Sequence, residues 1–161
     1  PSGPHAAPAN NSPGTGTSTG TLDLDLATLR VEVAFSGLIG NVTASHIHGL
    51  TAVPFQGTAG VMTPTPTFPG FPSGNTFGTY DATLDLTLAS SYNAAFITAS
   101  GGTVGQAFNR LIQSLDQGRA YLNIHTTAFP GGEIRGFFVP TPGVGAVLAG
   151  AGLFAARRRR A

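Results

Sequence analysis

The sequence predicts an all-β chain, an antiparallel Greek-key sandwich with a short helical insertion. Three observations carry that prediction. Apolar and polar residues alternate with period two in several separate stretches, as strands with one buried face require. Gly 23 and Pro 12, among many Thr and Val, suit short strands and tight turns better than a helix bundle. At 161 residues the chain is long enough for one domain with a full hydrophobic core.

Residues 1–20, PSGPHAAPANNSPGTGTSTG, are small, polar and rich in Pro and Gly, and read as an irregular arm or a short edge strand. Alternation begins at TLDLDL, which sets Leu22, Leu24 and Leu26 on one face against Thr21, Asp23 and Asp25. LRVEVAF repeats it with Leu29, Val31, Val33 and Phe35 inward, and Ala27 and Thr28 between the two runs mark a hairpin. NVTASHIHG is a third strand, stopped by Gly49. Four Pro between Thr63 and Pro72 exclude a central strand from the long connection 50–78 and favour extended, exposed chain. TYDATLDLTL then alternates Tyr80, Ala82, Leu84, Leu86 and Leu88 with polar partners.

The period changes over residues 90–117. Tyr92 and Phe96 are one helical turn apart, and Thr103 with Gln106 has the spacing of a capping box. Val104, Phe108, Leu111, Ile112 and Leu115 follow as a helical stripe, which Gly118 ends. AYLNIHT and EIRGFFV are the last strands, joined by the turn FPGG. The expected core contains Leu22, Leu24, Val31, Val33, Leu84, Leu86 and Ile124.

Composition excludes several functions. Cys is absent, so there are neither disulfides nor thiolate ligands. Lys is absent too, and half of the eight basic residues are Arg157–Arg160. Without that cluster four arginines face seven acids, giving about −3. A nucleic-acid surface needs basic residues spread over a folded face, so nucleic-acid binding is rejected. The start at Pro1, with no Met and no basic-then-apolar segment, is what removal of an export signal or trimming would leave. From residue 140 the chain changes character: Pro140, Thr141 and Pro142 precede an apolar run, Gly143 to Ala156, and then the Arg cluster. Fourteen helical residues reach about 21 Å, short of the ~30 Å hydrocarbon layer. Transient membrane insertion during export is expected, with the Arg cluster held on the cytoplasmic side.

VAFSGLIGNVTASHIHG, FPSGNTFGTYDATLDLT, GGTVGQAFNRLIQSL and AYLNIHTTAFPGGEIRGFF, in this order and spacing, resemble the CHRD domain, the module first described in chordin and widespread in secreted bacterial proteins. The resemblance covers roughly residues 2 to 138. Where that family usually carries Glu–Val–Pro–Pro in its first strand, this chain has Ala6, Ala7, Pro8 and Ala9. The tail is similar to a PEP-CTERM sorting signal, with Thr141 in place of the central acid and Arg157, Arg158, Arg159 and Arg160 as the basic end. The expected division is therefore a CHRD-like sandwich over 1–139 and a sorting tail over 140–161. The resemblance implies export to the periplasm of a Gram-negative-type bacterium, processing by an exosortase-type enzyme, and delivery to the cell surface or extracellular matrix. Exopolysaccharide and other surface proteins are the partners it implies.

Two of the four His stand one residue apart. On an extended strand His46 and His48 project from one side and Ile47 from the other. His125 is the third candidate ligand, because His5 lies in the irregular arm. Three imidazoles on neighbouring strands would suit Cu or Zn. The His-x-His spacing is similar to that of Cu/Zn superoxide dismutase, also a Greek-key sandwich; the antiparallel Greek-key sandwich read from the strands is expected to be immunoglobulin-like or superoxide-dismutase-like. Hydrogen bonds from the same rings to backbone and to groups beside Asn123 are the structural alternative. Any metal affinity is expected to fall below about pH 6.5. Glu133 and Arg135, two apart on the last strand, read as an ion pair on a solvated sheet. No nucleophile triad, catalytic carboxylate pair or phosphate loop stands out, so no enzyme is expected. Two functions stay open: a non-catalytic surface or matrix module, and a copper- or zinc-binding extracellular protein with redox activity as an option.

Overall fold

The computed structural model describes residues 9–141. Two three-stranded antiparallel sheets face one another. The first has the order β1 (Thr15–Asp23), β2 (Thr28–Ser36), β4 (Gly78–Asp85); the second, β3 (Val42–His48), β5 (Tyr121–Thr126), β6 (Ile134–Phe137). The chain thus crosses to the second sheet after β2, returns for β4, and crosses again for β5. Between β4 and β5 lie a 3-10 turn (Ala89–Ser91) and two helices, α1 (Ala94–Ala99) and α2 (Val104–Asp116). The all-β sandwich with a short helical insertion is what the alternation predicted. No helix among the described residues is long and apolar enough to cross a membrane.

The sandwich centre is filled by alternate residues of both sheets. Leu29, Val31, Val33 and Phe35 of β2 and Leu84 of β4 meet Ile47, Leu122, Ile124 and Ile134 of the second sheet, all buried, and Leu86 joins them just past β4. Leu22 is half-buried against this cluster. Leu24 departs from expectation, being 61 % exposed. The reason is local. The Asp23 carboxylate accepts from the backbone N–H groups of Asp25 (3.0 Å) and Leu26 (2.9 Å), turning the chain before the alternation is spent. Asp85 does the same for Thr87, whose N–H lies 2.9 Å from its carboxylate, so Leu88 faces solvent.

Strand β1 also begins earlier than the alternation shows, within the arm. Its inward positions include Gly16, Ser18 and Gly20, which are too small to register as a hydrophobic face. Helix α2 starts as the capping box requires, with the Thr103 hydroxyl accepting from Gln106 N–H, and ends before Gly118 at φ +63°. Ala107, Leu111 and Ser114 form its buried side.

The connection 49–77 is not simply extended, exposed chain. Its Met62 and Phe68 are wholly buried, and Phe71 stacks on Phe35 at 5.7 Å. It runs along the outer edge of β3. Gly60, Met62, Phe68 and Gly74 exchange backbone hydrogen bonds with Gly49, Ile47, Ser45 and Val42. The Thr63 and Thr67 hydroxyls accept from Ile47 and Ser45 N–H, each at 2.9 Å. Side-chain oxygens thus replace the ladder that Pro64 and Pro66 interrupt. This strap brings two backbone carbonyls against the candidate ligands.

Candidate metal centre

Pairing within the second sheet decides which side chains meet. His46 lies opposite Asn123, which lies opposite Arg135; His48 lies opposite Tyr121, which lies opposite Phe137. Strand parity therefore gathers His46, His48, Tyr121, Asn123, His125, Arg135 and Phe137 on one face. The other face, with Ile47, Leu122, Ile124 and Ile134, packs into the sandwich. The imidazoles sit outside the apolar core, beneath the strap and beside the turn that joins β5 to β6.

All three predicted histidines come together. Ring centroids are 5.8 Å apart for His46–His48, 5.2 Å for His46–His125 and 5.7 Å for His48–His125. One ligand atom from each lies within 4.8 Å of the others. Bonds of about 2.0–2.1 Å to a common ion put ligand nitrogens roughly 3.3–4.1 Å apart, so closure needs movements of at most about 1 Å.

Each ring is anchored by its other nitrogen. His46 Nε2 donates to Pro66 O (2.6 Å), His48 Nδ1 to Ala59 O (3.0 Å) and His125 Nδ1 to Pro130 O (2.7 Å). A carbonyl can only accept, so each contact fixes the proton on the nitrogen that makes it and assigns the tautomer. The lone pairs left over belong to His46 Nδ1, His48 Nε2 and His125 Nε2. The first two are buried without a hydrogen-bond partner. The third lies 3.3 Å from Asn123 Nδ2, which also donates to Gly131 O at 3.1 Å. Backbone anchoring through the far nitrogen is how metal-binding histidines are oriented. The two alternatives left open by the sequence are thus compatible: one nitrogen of each ring serves the fold, and the other faces the cluster.

Burial favours the neutral form of His46 and His48. It is the main reason that His48 is pushed down to about 4; the bond to Ala59 opposes the shift, while His125, His46 and Arg135 add to it by charge. Burial lowers His46 as well, against its bond to Pro66. Proton competition at these two rings therefore sets in at lower pH than the 6.5 of a free imidazole.

Glu133 and Arg135 differ from the solvated pair expected. Glu133 has no exposed surface. Its carboxylate accepts from Ser12 Oγ (2.5 Å), Ile39 N (2.5 Å), Thr126 Oγ1 (2.7 Å) and Gly40 N (3.1 Å). Burial alone would raise this carboxyl, but those four donors outweigh it and hold it below the usual range. Arg135 is buried too. Its Nη1 donates to Gly57 O at 2.7 Å, and its guanidinium lies over Tyr121, 4.9 Å from the ring centroid, and 5.4 Å from that of Phe137. The Tyr121 ring stacks on His48 at 5.0 Å.

Sequence reasoning could not find the Ala59, Pro66 and Pro130 carbonyls, because a backbone acceptor has no residue type. Of the sorting motif, Pro140 and Thr141 are exposed. His5, Pro142 and Arg157, Arg158, Arg159 and Arg160 lie outside the described residues. Comparison with known proteins gives one family: the model for the CHRD domain matches residues 2–138. Among curated proteins and solved structures nothing matches.

Proposed function

Given that the chain belongs to the CHRD domain family, we propose that it is a non-catalytic extracellular module whose His46, His48 and His125 bind Cu(II) or Zn(II). One observation carries the metal reading. Three imidazoles on one sheet face each anchor one nitrogen on a backbone carbonyl, and two of the remaining nitrogens are buried with no partner. Buried acceptors left without a donor are costly, and coordination would satisfy them. Nitrogen ligands without thiolate suit Cu(II) and Zn(II), and the usual order of affinities favours copper. Metal analysis of tag-free protein exposed to each ion tests this. One equivalent retained through gel filtration supports the reading, and none overturns it.

The export route belongs to the same proposal. The tripartite layout from Pro140 to Arg160 supports sorting by an exosortase-type enzyme and release at the cell surface or into the matrix of a Gram-negative-type bacterium. Intact-mass measurement on host-derived protein tests it. Loss of the apolar run and Arg157–Arg160 is expected; an uncleaved C-terminus overturns it.

A further inference from the structure

Of the three lone pairs left to the cluster, those of His46 and His48 have no hydrogen-bond partner, and that of His125 does. His125 Nε2 lies 3.3 Å from Asn123 Nδ2. With the ring proton fixed on Nδ1 by Pro130 O, this contact has one sense: the amide donates and the imidazole accepts. Asn123 and His125 are two apart on β5, and Asn123 lies directly opposite His46 in the register, so the amide stands on the face that carries the three rings. A metal ion and an amide proton cannot share one lone pair. Uptake at this site is therefore an exchange.

The amide is held in the orientation that makes it a competitor. Its Nδ2 also donates to Gly131 O at 3.1 Å, in the turn whose Pro130 carbonyl anchors His125. Gly132 packs against it so closely that a Cβ there would collide with Oδ1. A flip of the amide would set Oδ1 against Gly131 O, acceptor against acceptor, so Asn123 offers the site a donor and no oxygen ligand. The residue is only 4 % exposed. An N–H displaced from His125 has little water to turn to, and its lost hydrogen bond counts against the incoming ion.

We propose that Asn123 is a placeholder on the His125 lone pair, a residue that sets how tightly the centre holds a cation because every ion must displace its amide. The inference rests on the metal reading above. Both are tested on the full chain by calorimetric titration with Cu(II) and Zn(II).

Asn123→Ala, and Asn123→Leu with a side chain close to the amide in shape, remove the donor and should bind metal roughly tenfold more tightly than the unmodified chain. A residue that only supported the rings would give the opposite sign, weaker binding in both variants. In the unmodified chain the side-chain amide signal of Asn123, followed by heteronuclear NMR, should shift in step with Zn(II) occupancy. Equal or weaker metal binding by the folded variants overturns this inference alone, as does an Asn123 amide signal that stays fixed while the metal binds. No saturable binding of either ion by the unmodified chain or the variants overturns both it and the metal reading. If neither variant folds, the NMR titration decides.

Discussion

Replacing Glu133 by Ala removes the acceptor on which three segments converge. Ser12 comes from the N-terminal arm, Ile39 and Gly40 from the loop before β3, and Thr126 from the end of β5. The two hydroxyls can turn to other acceptors, but the two backbone N–H groups cannot. Each buried donor left unsatisfied costs about 1–3 kcal/mol, so the two N–H groups together cost roughly 2–6 kcal/mol. We therefore expect Glu133→Ala to lose about 2–6 kcal/mol, a large share of the roughly 5–15 kcal/mol that holds a domain together. Urea unfolding followed by circular dichroism measures it directly. The Glu133 carboxyl is held below its usual range in the fold, so its contribution is complete above about pH 4.5 and is lost as pH falls through the folded-state value. Glu133→Gln should accordingly flatten the acid limb of the stability curve. A Glu133→Ala loss below about 1 kcal/mol would refute the network as a stabilising element.

Four other substitutions probe the turn after β5, the cap of α2 and the buried imidazole. Gly132 has φ +122°, and a Cβ there would collide with the Asn123 amide. Gly132→Ala should cost about 2 kcal/mol or more and weaken metal binding, whereas Gly131→Ala, with open space around it, should stay within about 0.5 kcal/mol by urea unfolding. Thr103→Ala should cost about 1 kcal/mol by removing the cap of α2, read as a lower urea midpoint. For the metal-free chain, His48 is pushed down to about 4 in the fold, against about 6.5 unfolded. Acidification from about 6.5 toward 4 protonates the unfolded state first and should cost up to about 3 kcal/mol. His48→Gln should remove that component, and parallel pH curves for the two proteins would contradict it.

Much of the fold was legible because the chain alternates cleanly where both sheets face the core. Val31, Val33, Leu84 and Ile124 needed only the period of two. Leu24 was misplaced because Asp23 ends its strand by accepting from the next backbone N–H groups, and a local turn outranks continued alternation. The start of β1 was hidden because glycine and serine carry no hydrophobic signal. Strand parity paired His46 with His48, and the β3–β5 register brought His125 to them. The strap was the least legible part. Its prolines read as surface chain, yet Thr63 and Thr67 replace the missing ladder and carry Ala59 and Pro66 to the rings. Glu133 looked like half of a surface pair because its donors come from segments distant in sequence.

The central claim is that the three imidazoles act together on one ion. Calorimetric titration of the chain with Cu(II) and Zn(II), beside a His46→Ala, His48→Ala variant, tests it most directly. The unmodified chain should take up one equivalent, the copper complex being the tighter, and the variant should show no saturable heat at that site. Equal heats from the two proteins would contradict the account.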